Sequence, residues 1–408
     1  MAARRKVLTL DSVNPRVKGS RLPTLGPLLE GASQIQRQLA QGEEKPFREV
    51  IWCHSRDPHA AGRRPITFLR QVAAICAYPE LLHADSMPRD AKQRASRILP
   101  ELHSSSAAYN MEYVTAAIPQ RVARYLERRD GGIRCDPEHS HFVTPRNIVT
   151  CGGITMAIAD FLSLVVNELD PRRAGMLLPV PGHPLYADTV ALAGAVGVQY
   201  HLDEEGGWAL DVGEIRGRGG FRAGFFELVN IDPAIMKCFC SWGMSVYPLI
   251  LGQVLLDALM EALLPGDPSC PHLYGSGGKQ AVLSNLAHKA QLTQEIFGPV
   301  PGIRCNPVQG AMYSFPRIQI PARAVQEAQA LSLEPDFFFC QKLLEATGIV
   351  LAPGSTFGQR RGTHLVRASP MNQALGRRLL QSRALLYPCT GAVREGGAPA
   401  GTSRPICI

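Results

Sequence analysis

No part of the sequence approaches the roughly eighteen consecutive apolar residues that cross a lipid bilayer. The N-terminus, MAARRKVLTLDS, begins with basic residues but lacks the apolar core of a secretory signal peptide. Hydrophobic residues make up 45% of the 408 residues and charged residues 19%, which is typical of soluble globular proteins rather than of disordered or fibrous ones. We therefore expect a cytoplasmic protein of two or three domains with no membrane partner.

A repeated cysteine spacing is also lacking. Among the eleven cysteines only Cys238 and Cys240 lie close together, and one intervening residue is not the spacing of a zinc or redox site. The sequence therefore predicts no metal site. The odd number of cysteines, without a disulfide framework, predicts reduced thiols in a reducing compartment.

Basic residues are in excess without being concentrated in one stretch. The formal net charge is +8, but the arginines are scattered, and neither a basic face interleaved with aromatic residues nor a zinc-finger spacing accompanies them. We therefore expect no nucleic-acid partner. A basic surface of this kind suits acidic substrates.

Alternating strands and helices are predicted from residue 147 onward. A short β-prone run at 147–150 leads into a glycine turn and then into apolar residues at helical spacing from Ile158 to Val165. Further strands are predicted at 176–180 and 198–202, with an alanine-rich helix between them that reaches Ala195. This alternation predicts a parallel α/β sheet.

Two segments near the predicted strands contain residues that suit ligand binding. Gly153, Ile154 and Thr155 lie where a strand enters a helix, so backbone N–H groups, the helix dipole and a hydroxyl converge there as they do in phosphate sites. A simple helix cap by the threonine is the alternative. His183 follows a predicted strand, at the sheet edge where α/β proteins bind ligands, and an ordinary loop histidine is its alternative.

Several long segments resemble alanine aminotransferases, and together they cover nearly all of the chain up to Arg367. The most specific segments are 65–72, 122–133, 208–212, 306–317 and 353–359. The resemblance implies a pyridoxal-phosphate-dependent aminotransferase of fold type I, a homodimer that moves an amino group between L-alanine and 2-oxoglutarate by ping-pong transamination. Its substrates would be small amino and keto acids.

The resemblance also implies a domain organisation. Residues 1–60 would form an N-terminal arm and part of the small domain, and 61–265 a three-layer α/β large domain that binds the cofactor. Residues 266–385 would form the smaller α+β domain. The Gly-, Pro- and Ala-rich segment 386–408 is predicted to be a disordered tail.

By the same resemblance, site roles fall on particular residues. Gly153, Ile154 and Thr155 match the turn that holds the cofactor phosphate, and His183 falls where the family places an aromatic ring against the pyridine. The remaining matches are Arg222, which grips the phosphate, Tyr109, which reaches the phosphate of the neighbouring subunit, and Arg367, which holds the substrate α-carboxylate.

The segment that carries the chemistry of the family is missing. Transamination needs a lysine that forms a Schiff base with the cofactor, and the family places it after a serine, shortly before the phosphate arginine. This chain has eight lysines, and none of them follows Ser or Thr. The family's Asn-Pro-x-Asn-Pro-Thr-Gly turn and Asp-x-x-Tyr pair are absent too, and all three would fall between Ile215 and Gly220. No catalytic residue is therefore assigned, and we expect impaired catalysis and doubtful cofactor binding.

Two further expectations follow from that missing segment. In the family it supplies three adjacent strands from the middle of the large sheet, so its absence predicts two separate strand groups with unpaired edges. The chain could alternatively be a non-catalytic homologue that dimerises with an intact subunit, for which Tyr109 is the relevant residue. Near the substrate carboxylate, 54–57 reads His-Ser-Arg-Asp where the family has Asn-x-Gly-Asp.

Overall fold

The computed structural model of the chain is a mixed arrangement of helices and short strands. It describes residues 8–9, 11–18, 25–54, 66–102, 117–133, 147–167, 169, 174–202, 204, 207–208, 224–228, 231–232, 234–236, 238–239, 249–261, 263, 266–271, 279–308 and 313–369. Within these residues no helix combines the length and the apolar character that a membrane crossing requires.

The helices and strands follow one another along the whole described chain. The helices are α1 (Pro15–Lys18), α2 (Gly26–Ala40), α3 (Thr67–Ala77), α4 (Arg89–Glu101), α5 (Ile118–Arg129), α6 (Ile154–Val165), α7 (Pro184–Leu192), α8 (Ile250–Met260), α9 (Lys279–Phe297), α10 (Ala322–Ala330) and α11 (Pro335–Thr347). The strands are β1 (Ile51–Trp52), β2 (Ile148–Cys151), β3 (Gly175–Val180), β4 (Val196–His201), β5 (Gly224–Glu227), β6 (Ile303–Arg304), β7 (Arg317–Ile318), β8 (Ile349–Val350), β9 (Ala352–Pro353) and β10 (Val366–Arg367).

The strands expected in the large sheet form two separate pairs within the described residues. β3 and β4 pair in parallel, whereas β2 and β5 pair antiparallel. The expectation of two strand groups agrees with this topology. The predicted parallel pairing is found for β3 and β4, whereas β2 and β5 differ from it. The direction of the β2–β5 pair is set by tertiary packing of segments that lie far apart in the chain, which the local sequence pattern does not reveal.

One face of the β3–β4 pair is exposed although it is apolar. Leu177 lies opposite Val198 in the parallel ladder, and Val196 lies on the same face opposite Gly175. The exposed fractions are 67% for Leu177, 46% for Val198 and 44% for Val196. Parallel strands are normally covered on both faces, so this pair is left half covered by α6 and α7.

The largest core lies among helices. α3, α4, α5 and α8 bury apolar side chains against one another, and Val72, Ile75 and Ile98 have no exposed surface. Asp257 of α8 is fully buried at this interface and accepts a hydrogen bond from Arg97 Nη2 at 2.9 Å. Arg121 of α5 donates to its other carboxylate oxygen. A buried carboxylate between two guanidinium groups thus joins three helices.

A second core contains the C-terminal part of the chain together with the N-terminal helix α2. Leu28 of α2, Ile51 of β1 and Leu343 of α11 belong to the same buried cluster. β1 pairs in parallel with β8, and β9 pairs antiparallel with β10. The α+β character expected of this part agrees with these pairings. The domain boundaries at 60, 265 and 385 stay predictions.

The predicted helices are found with shifted ends, and one predicted strand is only partly described. Apolar residues over 249–264 predict a helix, which ends at Met260, and the helix expected to reach Ala195 ends at Leu192. The strand-like segment 311–315 is described from Tyr313, and there it makes only an isolated bridge at Ser314.

Candidate active site

Arg367 lies on β10 in the C-terminal core, where its backbone is held from two sides. β10 pairs with β9, and the next residue, Ala368, bridges to Ser314. Ser369 donates its backbone N–H to the Cys53 carbonyl oxygen at 2.9 Å. These contacts place Arg367 next to Cys53 and His54, which directly follow β1. Its side chain is buried, with 7% of the residue exposed.

The guanidinium group of Arg367 contacts two aromatic rings and one backbone carbonyl. Its central carbon lies 4.3 Å from the centroid of the Tyr313 ring and 4.6 Å from that of the Phe357 ring. Its Nη2 donates to the His54 carbonyl oxygen at 3.0 Å. Cation–π contacts hold the planar group in place and leave its edge suited to bidentate binding of a carboxylate.

Two polar side-chain atoms beside this arginine are buried and make no hydrogen bond to any described residue. They are Nδ1 of His54 and the hydroxyl oxygen of Tyr313. A buried polar atom without a partner costs roughly 1–3 kcal/mol, so such atoms mark a place where a ligand or water completes the bonding. Burial, and secondarily the charge of Arg367, lowers the pKa of His54 to about 4. The imidazole is therefore neutral at pH 7 and leaves the guanidinium as the charged group.

The turn predicted to hold a phosphate lies between β2 and α6. Gly153 is the N-cap of α6, with φ at +109° and no side-chain cap, and Ile154 begins the helix. A Cβ at this glycine would strain the backbone. Cys151, at the end of β2, lies directly behind the turn. Burial raises the pKa of its thiol, and hydrogen bonds from the backbone of Gly153 and Ala157 partly offset that increase.

His183 has a structural role that neither sequence interpretation included. It is the N-cap of α7, and its Nδ1 accepts the backbone N–H of Leu185 at 3.2 Å. Its ring lies 5.7 Å from that of Tyr186, centroid to centroid. The capping bond fixes the imidazole orientation.

A backbone hydrogen bond brings the end of β3 to the arginine pocket. Gly182, which precedes His183, donates its N–H to the Phe357 carbonyl oxygen at 2.9 Å. Because the Phe357 ring contacts Arg367, this bond places His183 and Arg367 in one neighbourhood. The turn at Gly153 is joined to that neighbourhood only indirectly, through the packing of α6 on α7.

The described residues therefore assemble part of the predicted site. Arg222, Tyr109 and the join at 215–220 lie outside them. His54 and Tyr313 were not assigned as site residues, although Tyr313 and Phe357 fall in two of the segments that carry the resemblance. A single clue was present at His54, where histidine replaces the family's asparagine.

The half-buried His54 should make stability fall below neutral pH. Its pKa is about 4 in the folded chain and near 6.5 when unfolded, so the unfolded chain takes up a proton first as the pH falls. The contribution is full above pH 6.5 and decreases by about 1–2 kcal/mol as the pH falls to 4, less than the whole shift because solvent screens the part-exposed ring. His54→Asn should remove this slope, as measured by urea unfolding at pH 7.5, 6 and 4.5.

His201→Asn is the matched control for that experiment, because His201 is exposed at the end of β4. It should reproduce the pH dependence of the unchanged chain. An identical slope in His54→Asn and His201→Asn would show that His54 is not buried as described.

Comparisons with known proteins point to a single family. No protein-family model matches the chain. It is 38% identical to alanine aminotransferase 2 of Xenopus laevis, over 89% of this chain and 83% of the relative, and 38% identical to alanine aminotransferase 1 of Homo sapiens, over 89% and 91%. It is also 26% identical to a Saccharomyces cerevisiae protein named inactive alanine aminotransferase, over 89% and 90%.

A solved structure shows the same fold at lower sequence identity. The alanine aminotransferase from Pyrococcus furiosus superposes with a TM-score of 0.63 at 15% identity, covering 92% of this chain and 99% of its own. The fold is thus fold type I. The alignment with the Xenopus laevis protein spans 459 positions but includes only 89% of this chain, about 363 residues, so about 96 aligned residues of the relative have no counterpart here.

Proposed function

Because this chain belongs to the alanine aminotransferase family, we propose that it is a catalytically impaired member that still binds small amino and keto acids. The observation that carries the proposal is Arg367, buried between two aromatic rings beside two polar atoms that have no hydrogen-bond partner among the described residues. A carboxylate is the group that best satisfies this arrangement, since it accepts two parallel N–H bonds from guanidinium and one from a phenol.

The impairment follows from the lysines. A Schiff-base lysine both binds the cofactor aldehyde and moves the proton during transamination, and no other side chain performs both tasks. None of the eight lysines follows a serine or threonine. The shortfall of aligned positions supports the interpretation that the lysine belongs to a segment this chain lacks. The name of the yeast relative records that the family includes an inactive protein.

The described residues fit the phosphate of pyridoxal phosphate but not its aldehyde. Gly153, Ile154 and Thr155 open a twelve-residue helix without a side-chain cap, and nothing lies within 4 Å of the space a Cβ on Gly153 would fill. We therefore include these residues, together with His183, Arg222 and Tyr109, in a proposed cofactor site. No lysine matches the position that the aldehyde requires.

A borohydride experiment tests the impairment. The full chain is incubated with pyridoxal phosphate, reduced with borohydride, and digested for peptide mass spectrometry. Unbound cofactor is removed before reduction, because exposed lysines such as Lys342 also form reversible aldimines. We expect no single lysine to carry a stoichiometric pyridoxyl group. Such a stoichiometric adduct would overturn the proposal, and Lys289 is the first position to inspect, because it is a buried lysine with 5% of its surface exposed.

A binding experiment tests the carboxylate site separately. Arg367→Gln should weaken the binding of 2-oxoglutarate at least about tenfold, because a charge-assisted bidentate contact is lost. Arg323→Gln, on an exposed surface of α10, is the control and should bind as the unchanged chain does. Equal affinities of the two variants would show that Arg367 does not bind the carboxylate. The proposal that the chain lacks a Schiff-base lysine would be unaffected.

The same proposal includes location and assembly. A cytoplasmic protein fits the composition. A homodimer, or a heterodimer with an intact relative, fits the family, and size-exclusion chromatography of two co-expressed chains would distinguish them.

A further inference from the structure

A buried glutamine on α8 contacts the strand that leads into the turn between β2 and α6. Gln253 has no exposed surface, and its Nε2 donates a hydrogen bond to the Cys151 carbonyl oxygen at 3.3 Å. Only the amide nitrogen of glutamine can donate to a carbonyl oxygen, so this contact fixes the orientation of the amide. The amide oxygen is also buried and has no hydrogen-bond partner among the described residues. Because such an atom is destabilising, it indicates that Gln253 has a role other than packing.

Cys151 connects Gln253 to the turn. It is the last residue of β2, where it lies opposite Gly224 of β5. Its carbonyl oxygen is bound by Gln253, and its thiol accepts hydrogen bonds from the backbone N–H groups of Gly153 and Ala157. Cys151 is therefore held from α8 on one side and from α6 on the other. A change at Gln253 reaches Gly153 through this single residue.

The turn itself has little conformational preference. Gly152 and Gly153 follow each other, and Gly153 has φ at +109°. Glycine loses more conformational freedom on ordering than any other residue, and α6 begins without a side-chain cap. A contact from outside the segment is therefore needed to hold the first N–H groups of α6 in one direction.

α8 provides a buried support for that contact. Val254 of α8 and Ile148 of β2 belong to the largest core, and Asp257 joins α8 to α4 and α5. The beginning of α6 lies nearer the surface, since 42% of Ile154 is exposed. Gln253 thus connects a buried framework to a turn that a ligand can reach.

We infer that Gln253 is a positioning residue for phosphate binding, which holds the turn at 152–153 through the Cys151 carbonyl oxygen. The turn then presents the first N–H groups of α6, those of Ile154 and Thr155, to a phosphate monoester. The role of Gln253 rests on the proposed cofactor site. It depends neither on the Arg367 pocket nor on the missing lysine.

Titration of the full chain with pyridoxine phosphate and with pyridoxine tests this role. Neither compound carries an aldehyde, so aldimines with exposed lysines do not contribute. The ratio of their dissociation constants, the phosphate preference, isolates the effect of the phosphate when the ionic strength is constant. Gln253→Met keeps the side-chain volume but cannot donate a hydrogen bond. We expect it to weaken pyridoxine phosphate about fivefold and to leave pyridoxine unchanged.

Two more variants separate positioning from stability. Gln253→Asn keeps the amide but is one methylene shorter, so it should show the same loss if Gln253→Met does not fold. Val254→Ala is the matched control, because Val254 is equally buried on α8 and its apolar side chain offers the turn no hydrogen bond. It should lower the thermal unfolding midpoint without changing the phosphate preference.

Each outcome supports or overturns the role of Gln253. A smaller phosphate preference in Gln253→Met or Gln253→Asn, with an unchanged one in Val254→Ala, supports it. A preference unchanged in the Gln253 variants would overturn it and leave the phosphate turn in place. An equal decrease in Val254→Ala would also overturn it, because any loss of packing would then have the same effect. If the unchanged chain bound both compounds equally, the proposed phosphate site would fail together with the role of Gln253.

Discussion

Asp257→Ala should lower the free energy of unfolding by about 3 kcal/mol, because it removes the buried carboxylate that two guanidinium groups share and leaves them with the part-exposed Glu261 and Glu101. Asp257 is fully buried on α8, and it binds Arg97 of α4 and Arg121 of α5. Neither arginine can regain full hydration, since the exposed fractions of their side chains are 32% and 10%. Urea unfolding followed by circular dichroism measures the loss.

An exposed pair provides the control for this network. Glu327 of α10 pairs with Arg323 at 3.2 Å, but 53% and 90% of these side chains are exposed. Glu327→Ala should therefore cost less than about 0.5 kcal/mol. Asp257→Asn keeps the shape and one acceptor, so it should fall between the two. If Asp257→Ala cost no more than Glu327→Ala, the buried network would make no net contribution to stability.

Gly348→Ala should destabilise the chain by about 2–4 kcal/mol, through backbone strain and a collision together. Gly348 ends α11 in the left-handed region, with φ at +73°. A Cβ there would lie 2.6 Å from Cδ2 of Phe47 and 2.8 Å from the Glu49 carbonyl oxygen. The backbone has little freedom to retreat, because Gly348 accepts a hydrogen bond from Ile51 N–H at 2.8 Å.

Gly42→Ala separates the strain from the collision. Gly42 has φ at +86°, yet nothing lies within 4 Å of the Cβ that alanine would add. Its replacement should cost only the strain, about 1 kcal/mol. The difference between the two variants, measured by thermal unfolding, is the effect of the collision. Equal midpoints would mean that Phe47 moves aside without cost.

The helices could be predicted because their signal is local. Phe68, Val72 and Ile75 recur at helical spacing after a proline, and the structure buries all three on α3. Spacing within a few residues is enough to fix such a face. The ends are less certain, since capping depends on single residues, as at Met260, where α8 stops four residues before the predicted end.

Strand partners could not be predicted from the same patterns. β1 pairs with β8 almost 300 residues later, Ile51 lying opposite Ile349. A two-residue strand has no periodicity of its own, and its register depends on the packing of α2 and α11 around it. The antiparallel pairing of β2 with β5 likewise joins segments that lie far apart in the sequence.

The site was predicted unevenly for a related reason. The resemblance predicts Arg367, because it assigns a role to each matching residue separately and says nothing of which other residues surround it. His54 and Tyr313 lie beside Arg367 because β10 lies between β9 and the segments that contain Ser314 and Cys53. These segments are far apart in the sequence, so no local pattern predicts their contact.

The exposed apolar face of β3 and β4 has a consequence for the lifetime of the chain in a cell. Helices α6 and α7 cover one face of the pair only, and Leu177 and Val198 leave an apolar surface on the other face of the kind that chaperones and proteases recognise. Native chains that open even locally at this pair would be sorted toward degradation. We therefore expect degradation that begins at β3 and β4 to determine the abundance of this protein, whatever its carboxylate pocket binds.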